Sequence, residues 1–174
     1  MEVYERILTT LAQEFSDLHQ VEHLTRATLR LVLAMFLGGL LGYERAVMGK
    51  AAGMRTHMLV CLGAAIFVMA LEQNGAESDA MSRVIQGVAA GIGFLCAGTI
   101  LKGRSISDVK GLTTAAGLWA SAAIGVAVGL GREATAVLAT VIVLVVLHLM
   151  PLVVDPSANI QSDDEPDPEP RDKH

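Results

Sequence analysis

Aromatic residues make up only 4% of this 174-residue chain, charged residues 18%, and cysteine occurs twice. Scarce Phe, Tyr and Trp argue against a conventional soluble core, which draws much of its buried area from those rings. Soluble domains carry roughly 25% charge, so this chain is too apolar for that class. Cys61 and Cys96 both lie inside apolar runs, without CxxC spacing. They imply no disulfide framework or zinc site and read as packing residues. A Walker loop, a nucleophile–base pair and a metal-ligand cluster are also missing from the sequence. It is therefore expected to be no enzyme, to need no cofactor or metal, and to bind no nucleic acid. What it has instead is 52% hydrophobic residues and seventeen glycines, most of them inside apolar runs. Glycine is frequent in membrane helices. The expected fold is an all-α integral membrane protein.

The formal charge of −5 is uneven. Seven of the eighteen acids but only Arg171 and Lys173 of the thirteen cations fall in the last twenty residues, so residues 1–154 are neutral. That tail, 155–174, holds four prolines and almost nothing apolar. Such a composition cannot offset the entropy of ordering, and the tail is expected to be disordered. At the other end Val3, Ile7, Leu11, Phe15, Leu18 and Val21 recur at helical spacing. Residues 1–26 are expected to form an amphipathic helix, on the membrane surface or against the bundle.

Between them, residues 27–154 divide into about five apolar spans: Ala27 to Tyr43, His57 to Leu71, Val84 to Leu101, Gly111 to Leu130 and Ala134 to Val154. A spanning helix needs about 17–25 residues, so the second is short. Arg45, Lys50 and Arg55 occupy one connecting loop, Lys102, Arg104 and Lys110 another, while the alternate loops hold only Arg83 and Arg132. Cations favour cytoplasmic loops. The expected topology places the N-terminus outside and the C-terminus inside.

"GMRTHMLVCLGAAIFV" (53–68) over "GLTTAAGLWASAAIGV" (111–126) gives six identities in sixteen positions, at an offset of 58 residues. It suggests a parallel repeat of two helix pairs, which would gather both basic loops on one side. Thr56, Thr113 and Thr114 stand where basic loops become helices and are expected to cap them. Helix N-termini beside cations form an anion-attracting surface, or simply anchor the face to anionic lipid. Glu44, the one acid of the first basic loop, can pair with Arg45, Lys50 or Arg55, or with a cation of the second. Small residues at GxxxG spacing, Gly38/Gly42, Gly87/Gly91 and Gly125/Gly129, promote close helix approach. The partner helix lies in the same chain or in a second copy. Polar residues within spans are few: Arg30, Gln86, Thr99, Ser121, Thr140 and His148. Arg30 is placed to snorkel to the outer surface. Because magnesium sites use carboxylates and no Asp or Glu falls mid-span, a magnesium path through the bundle is not visible.

The blocks "GYERAVMGKAAGMRTHMLVCLGAAIF", "RVIQGVAAGIGFLCAGTILKG" and "VKGLTTAAGLWASAAIGVAVGLG" resemble the MgtC/SapB family of bacterial inner-membrane proteins, over roughly residues 31–149. Cys96 stands where members often have glycine. The resemblance marks as motif residues Glu44, Arg45, Lys50, Gly53, Arg55 and Thr56. It adds Gly91, Gly93, Phe94 and Gly98, then Gly111, Thr113, Thr114 and Trp119. It implies a part in magnesium limitation, as a regulator of other membrane proteins or, alternatively, as a transporter of magnesium or another small solute. It also implies the short form of the family, without the soluble C-terminal domain of longer members. The partners expected are the bilayer, a second copy of the chain and another membrane protein.

Overall fold

A computed structural model describes residues 2–14, 21–72, 78–102 and 109–154. It holds six helices, α1 (Glu2–Glu14), α2 (Val21–Val47), α3 (Met54–Glu72), α4 (Ser78–Thr99), α5 (Leu112–Gly129) and α6 (Glu133–Val154). Two-residue strands β1 (Leu101–Lys102) and β2 (Val109–Lys110) form an antiparallel ladder in the second basic loop, Leu101 opposite Lys110. α2 to α5 are each long and apolar enough to cross a membrane, and α6 is apolar from Glu133 to Leu149. In lipid every backbone polar group must bond internally, which leaves helices as the form for such segments. This is an all-α membrane protein.

The helices outrun the apolar stretches. α2 begins at Val21, where Glu22 and Arg26 pair one turn apart at 2.8 Å, and it runs through Glu44 and Arg45 to Val47. α3 has 19 residues rather than the expected fifteen, enough to span. α1 covers only the first half of the expected amphipathic helix, with Val3, Ile7 and Leu11 exposed. Phe15 and Leu18, like the acidic tail, lie outside the described residues.

α3 and α5 form the centre, with α2 against both, α6 over α2 and α5, and α4 against α5 and more lightly α3. Glycine lets the central pair touch backbone to backbone. A Cβ at Gly125 would lie 2.9 Å from the carbonyl carbon of Cys61, and one at Gly129 2.8 Å from both the Ala65 oxygen and the Val68 Cβ. Leu41, Cys61, Ala65, Leu118, Ile124 and Val128 fill the remaining core. The repeat recurs in contacts as well as in sequence. Gly38 abuts the His57 carbonyl oxygen (2.6 Å from an added Cβ). Their equivalents 58 residues on meet through Cys96 Sγ–H, which donates to the Ala115 oxygen at 3.1 Å. Gly42 touches Gly53, as Ile100 touches Gly111. Cys96 thus bridges a gap that glycine closes in the first copy.

The end of the bundle away from the basic loops is tied by Arg30, and here the structure corrects the sequence reading. The side chain does not snorkel. It is 11% exposed, pairs with Glu72 at the end of α3 and lies 3.5 Å from Glu133 at the start of α6. Nη1 also donates to the Gly129 oxygen at 3.0 Å. Gly131, at φ +69°, leaves room for the guanidinium, which a Cβ there would approach to 3.1 Å at Cζ. One cation therefore joins four helices, because it carries several donors in a rigid fork.

Candidate functional site

At the basic-loop end, Glu44 and Arg45 belong to the last turns of α2, not to a loop. Adjacent on the helix, they pair with each other: Nε and Nη2 of Arg45 engage both carboxylate oxygens of Glu44. The side chains are 4% (Arg45) and 12% (Glu44) exposed. Arg45 Nη2 also donates to the Leu147 oxygen of α6 at 3.5 Å. Of the partners open to Glu44 from sequence, the structure selects its neighbour. Lys50 and Arg55 stay exposed, as does Lys110. Lys102 sits on β1. Arg104 lies outside the described residues.

Thr56, Thr113 and Thr114 are not caps. α3 starts at Met54 and α5 at Leu112, so all three lie within first turns. The residue before α5 is Gly111 at φ +93°, with no side-chain cap. A β-branched residue is strained at that angle, so glycine takes the position and the threonines move inward. Thr114 is buried, Thr56 half-buried and Thr113 exposed. The first turn of α3 lies beside the second turn of α5, where a Cβ at Gly117 would be 3.4 Å from His57 Nε2. Arg55, Thr56, Lys110 and Thr113 therefore share one end of the bundle.

His57 sits beneath that surface and has no exposure. Sequence reasoning took it only as the start of a span. Nδ1–H donates to the Gly53 oxygen at 3.0 Å, while Nε2 has no partner among the described residues. Glycines at 38, 42 and 117 make the room it occupies. Those glycines were the available signal, but nothing in the sequence pairs them with an imidazole. Arg30, Glu72 and Glu133 were missed as a group for the same reason: they are far apart in the chain. Two other buried hydroxyls bond within their own helix, Ser121 to the Gly117 oxygen at 3.0 Å and Thr140 to the Ala136 oxygen at 2.8 Å.

The glycines expected to pack helices divide in two. Gly38, Gly42, Gly125 and Gly129 sit at tight crossings. Gly87, Gly91, Gly93 and Gly98, all on α4, would give an added Cβ no neighbour within 4 Å. Packing inside this chain does not explain them, since α4 stands away from α3 across an apolar groove of about 520 Å³.

A helical membrane bundle with a buried Glu–Arg pair under a basic face is thus the class defined by fold and site. Residues 31–155 match the profile of the MgtC family, and the chain belongs to that family. It is 47% identical to Protein SrpB of Synechococcus elongatus, over 59% of this chain and 62% of that protein. It is 46% identical to Protein MgtC of Salmonella typhimurium (67% of this chain, 48% of the relative) and 46% identical to Protein MgtC of Brucella abortus (69% and 50%). The chain spans about half to three-fifths of the length of these curated relatives. No solved structure matches it.

Proposed function

We propose that this protein is a non-enzymatic regulator in the bacterial inner membrane, acting in adaptation to low magnesium. In this reading its basic-loop end lies in the cytoplasm, with the N-terminus outside. Lys50, Arg55 and Lys110, with the second-loop cations, attract an anionic group of a partner protein, lipid or metabolite around the first turns of α3 and α5. Glu44 and Arg45 brace that surface from below. Magnesium enters through the family resemblance, and the orientation through the distribution of loop cations.

The observation that carries the regulatory reading over transport is the closed contact between the two repeats. Transport sites in repeat proteins lie where the repeats meet near mid-membrane. Here α3 and α5 are in backbone contact where the repeats meet, Gly125 against Cys61 within the helices and Gly129 against Ala65 and Val68 at the Arg30 end. The larger opening, between α3 and α4, is lined by residues such as Leu59, Val60, Phe67 and Val84, which offer an ion no ligands.

The test is magnesium flux into liposomes holding the purified, folded protein, alongside Arg55→Ala and Glu44→Gln. The expected result is flux no greater than in empty liposomes. Saturable flux abolished by either substitution would replace the regulator with a transporter.

A further inference from the structure

At the end of the bundle away from the basic loops, α2 starts before its apolar run, and its residues from Val21 to Arg26 are exposed. His23, Arg26, Ala27 and Arg30 follow there at i, i+3, i+4 and i+7, the spacing of a single stripe on a helix. Met69 and Glu72, at the end of α3, stand opposite. Between these two walls lies a cavity of about 250 Å³. Four of its six lining side chains are ionisable (His23, Arg26, Arg30 and Glu72), whereas apolar residues line the groove between α3 and α4.

The cavity is fixed at its floor and free at its rim. Arg30, the deepest residue of the stripe, is buried and held by Glu72, Glu133 and the Gly129 oxygen. Arg30 engages Oε2 of Glu72, which leaves Oε1 as an acceptor. Arg26 reaches Glu22 through Nη2 at 2.8 Å, and the other donors of its fork stay open. His23 is exposed one turn above it. The whole group sits at the hydrocarbon boundary, since the apolar run of α2 begins at Ala27 and that of α3 ends at Leu71. Deeper on α2, on the side of the helix below Arg26, Leu29, Phe36 and Leu40 are exposed.

We propose that this cavity binds the phosphoethanolamine headgroup of a membrane lipid, its phosphate on Arg26 and His23 and its ammonium on Glu72. The two signs of charge select the ligand. A simple anion would meet the Glu72 carboxylate, and a simple cation would meet two guanidinium groups. A zwitterion with its charges a few bonds apart answers both walls. Guanidinium and phosphate form strong charge-assisted hydrogen bonds. The level of the cavity and the exposed Leu29, Phe36 and Leu40 select a lipid over a free metabolite, because acyl chains run along that stripe once the headgroup is seated. The proposal holds for either orientation of the chain and does not rest on the regulatory reading.

The test is native mass spectrometry of the purified chain in detergent, titrated with phosphatidylethanolamine, phosphatidylglycerol or phosphatidylcholine. The first should bind most tightly, because the second has no ammonium and the third has no ammonium N–H to donate. His23→Ala combined with Arg26→Ala should weaken that binding about tenfold, the scale of a lost hydrogen bond to a charged group. The melting temperature without lipid should hold, since the Arg26 side chain is 57% exposed and its ion pair lies within its own helix. Glu72→Gln should remove the preference for phosphatidylethanolamine over phosphatidylglycerol. Leu138→Ala, at an exposed position on α6, should change neither affinity nor preference. Equal binding of the three lipids, or binding indifferent to the paired substitution, would overturn the proposal. Free phosphoethanolamine binding as tightly as the lipid would overturn the lipid as the source of the group.

Discussion

The closed contact between α3 and α5 makes a quantitative claim through Gly125. Replacing it with alanine adds one methyl group, and helix preference alone would favour that change by about 1 kcal/mol. The methyl would sit 2.9 Å from the Cys61 carbonyl carbon and nearer still to its oxygen, where ordinary contact starts near 3.4 Å. That obstacle is backbone, so no side chain can rotate away, and α5 must separate from α3. Overpacking costs about 1–3 kcal/mol, and a rigid obstacle puts this site at the upper end. The net loss is then about 2 kcal/mol, or a melting temperature roughly 4–8 °C lower for a chain of this size. Gly63→Ala is the matched control: it is also mid-helix, but its new Cβ meets nothing within 4 Å. It should hold or raise the melting temperature by a few degrees, about 2–4 °C for the same helix preference. Thermal scans in detergent can follow Trp119, the single tryptophan, which lies on α5. Equal shifts of the same sign at both positions would refute the tight α3–α5 contact, and with it the structural argument against a solute path there.

Other substitutions probe the two charged ties and the turn before α5. Glu44→Gln leaves Arg45 buried without a counter-charge and should cost about 3 kcal/mol; Glu44→Gln combined with Arg45→Met should recover much of that loss in the same thermal scan. A Glu44→Gln variant that melts normally yet fails to support growth in low magnesium would show a role beyond bracing. Arg30→Met should cost about 2 kcal/mol, less than a fully buried pair, because Glu72 and Glu133 are 42% and 40% exposed and can rehydrate. Arg30→Lys should not rescue it, since a single ammonium cannot reproduce the guanidinium fork across α3, α5 and α6. Gly111→Ala forces an alanine to φ +93° with its Cβ 3.0 Å from the Thr99 carbonyl carbon, and should lower the yield of folded protein measured by size-exclusion chromatography.

Much of this architecture is legible in the order of residues, because the bilayer imposes simple demands. Long apolar runs must become helices, and the 58-residue repeat places equivalent helix pairs before any contact is seen. The basic blocks around Arg55 and Lys110 identify one end of the bundle through local composition alone. Tertiary structure alone decides which side chains meet. Arg30 reads as a snorkelling cation until α3, α5 and α6 bring Glu72, Gly129 and Glu133 to it. Glu44 has four classes of partner in sequence, and only the packing of α6 over α2 leaves Arg45 buried beside it. The threonines look like caps because capping is a local signal, yet the left-handed turn at Gly111 comes from how β2 enters α5. Six glycines share GxxxG spacing, and four of them touch a neighbouring helix while two do not. Spacing along a helix sets which residues share a face; what lies against that face depends on every other helix in the bundle.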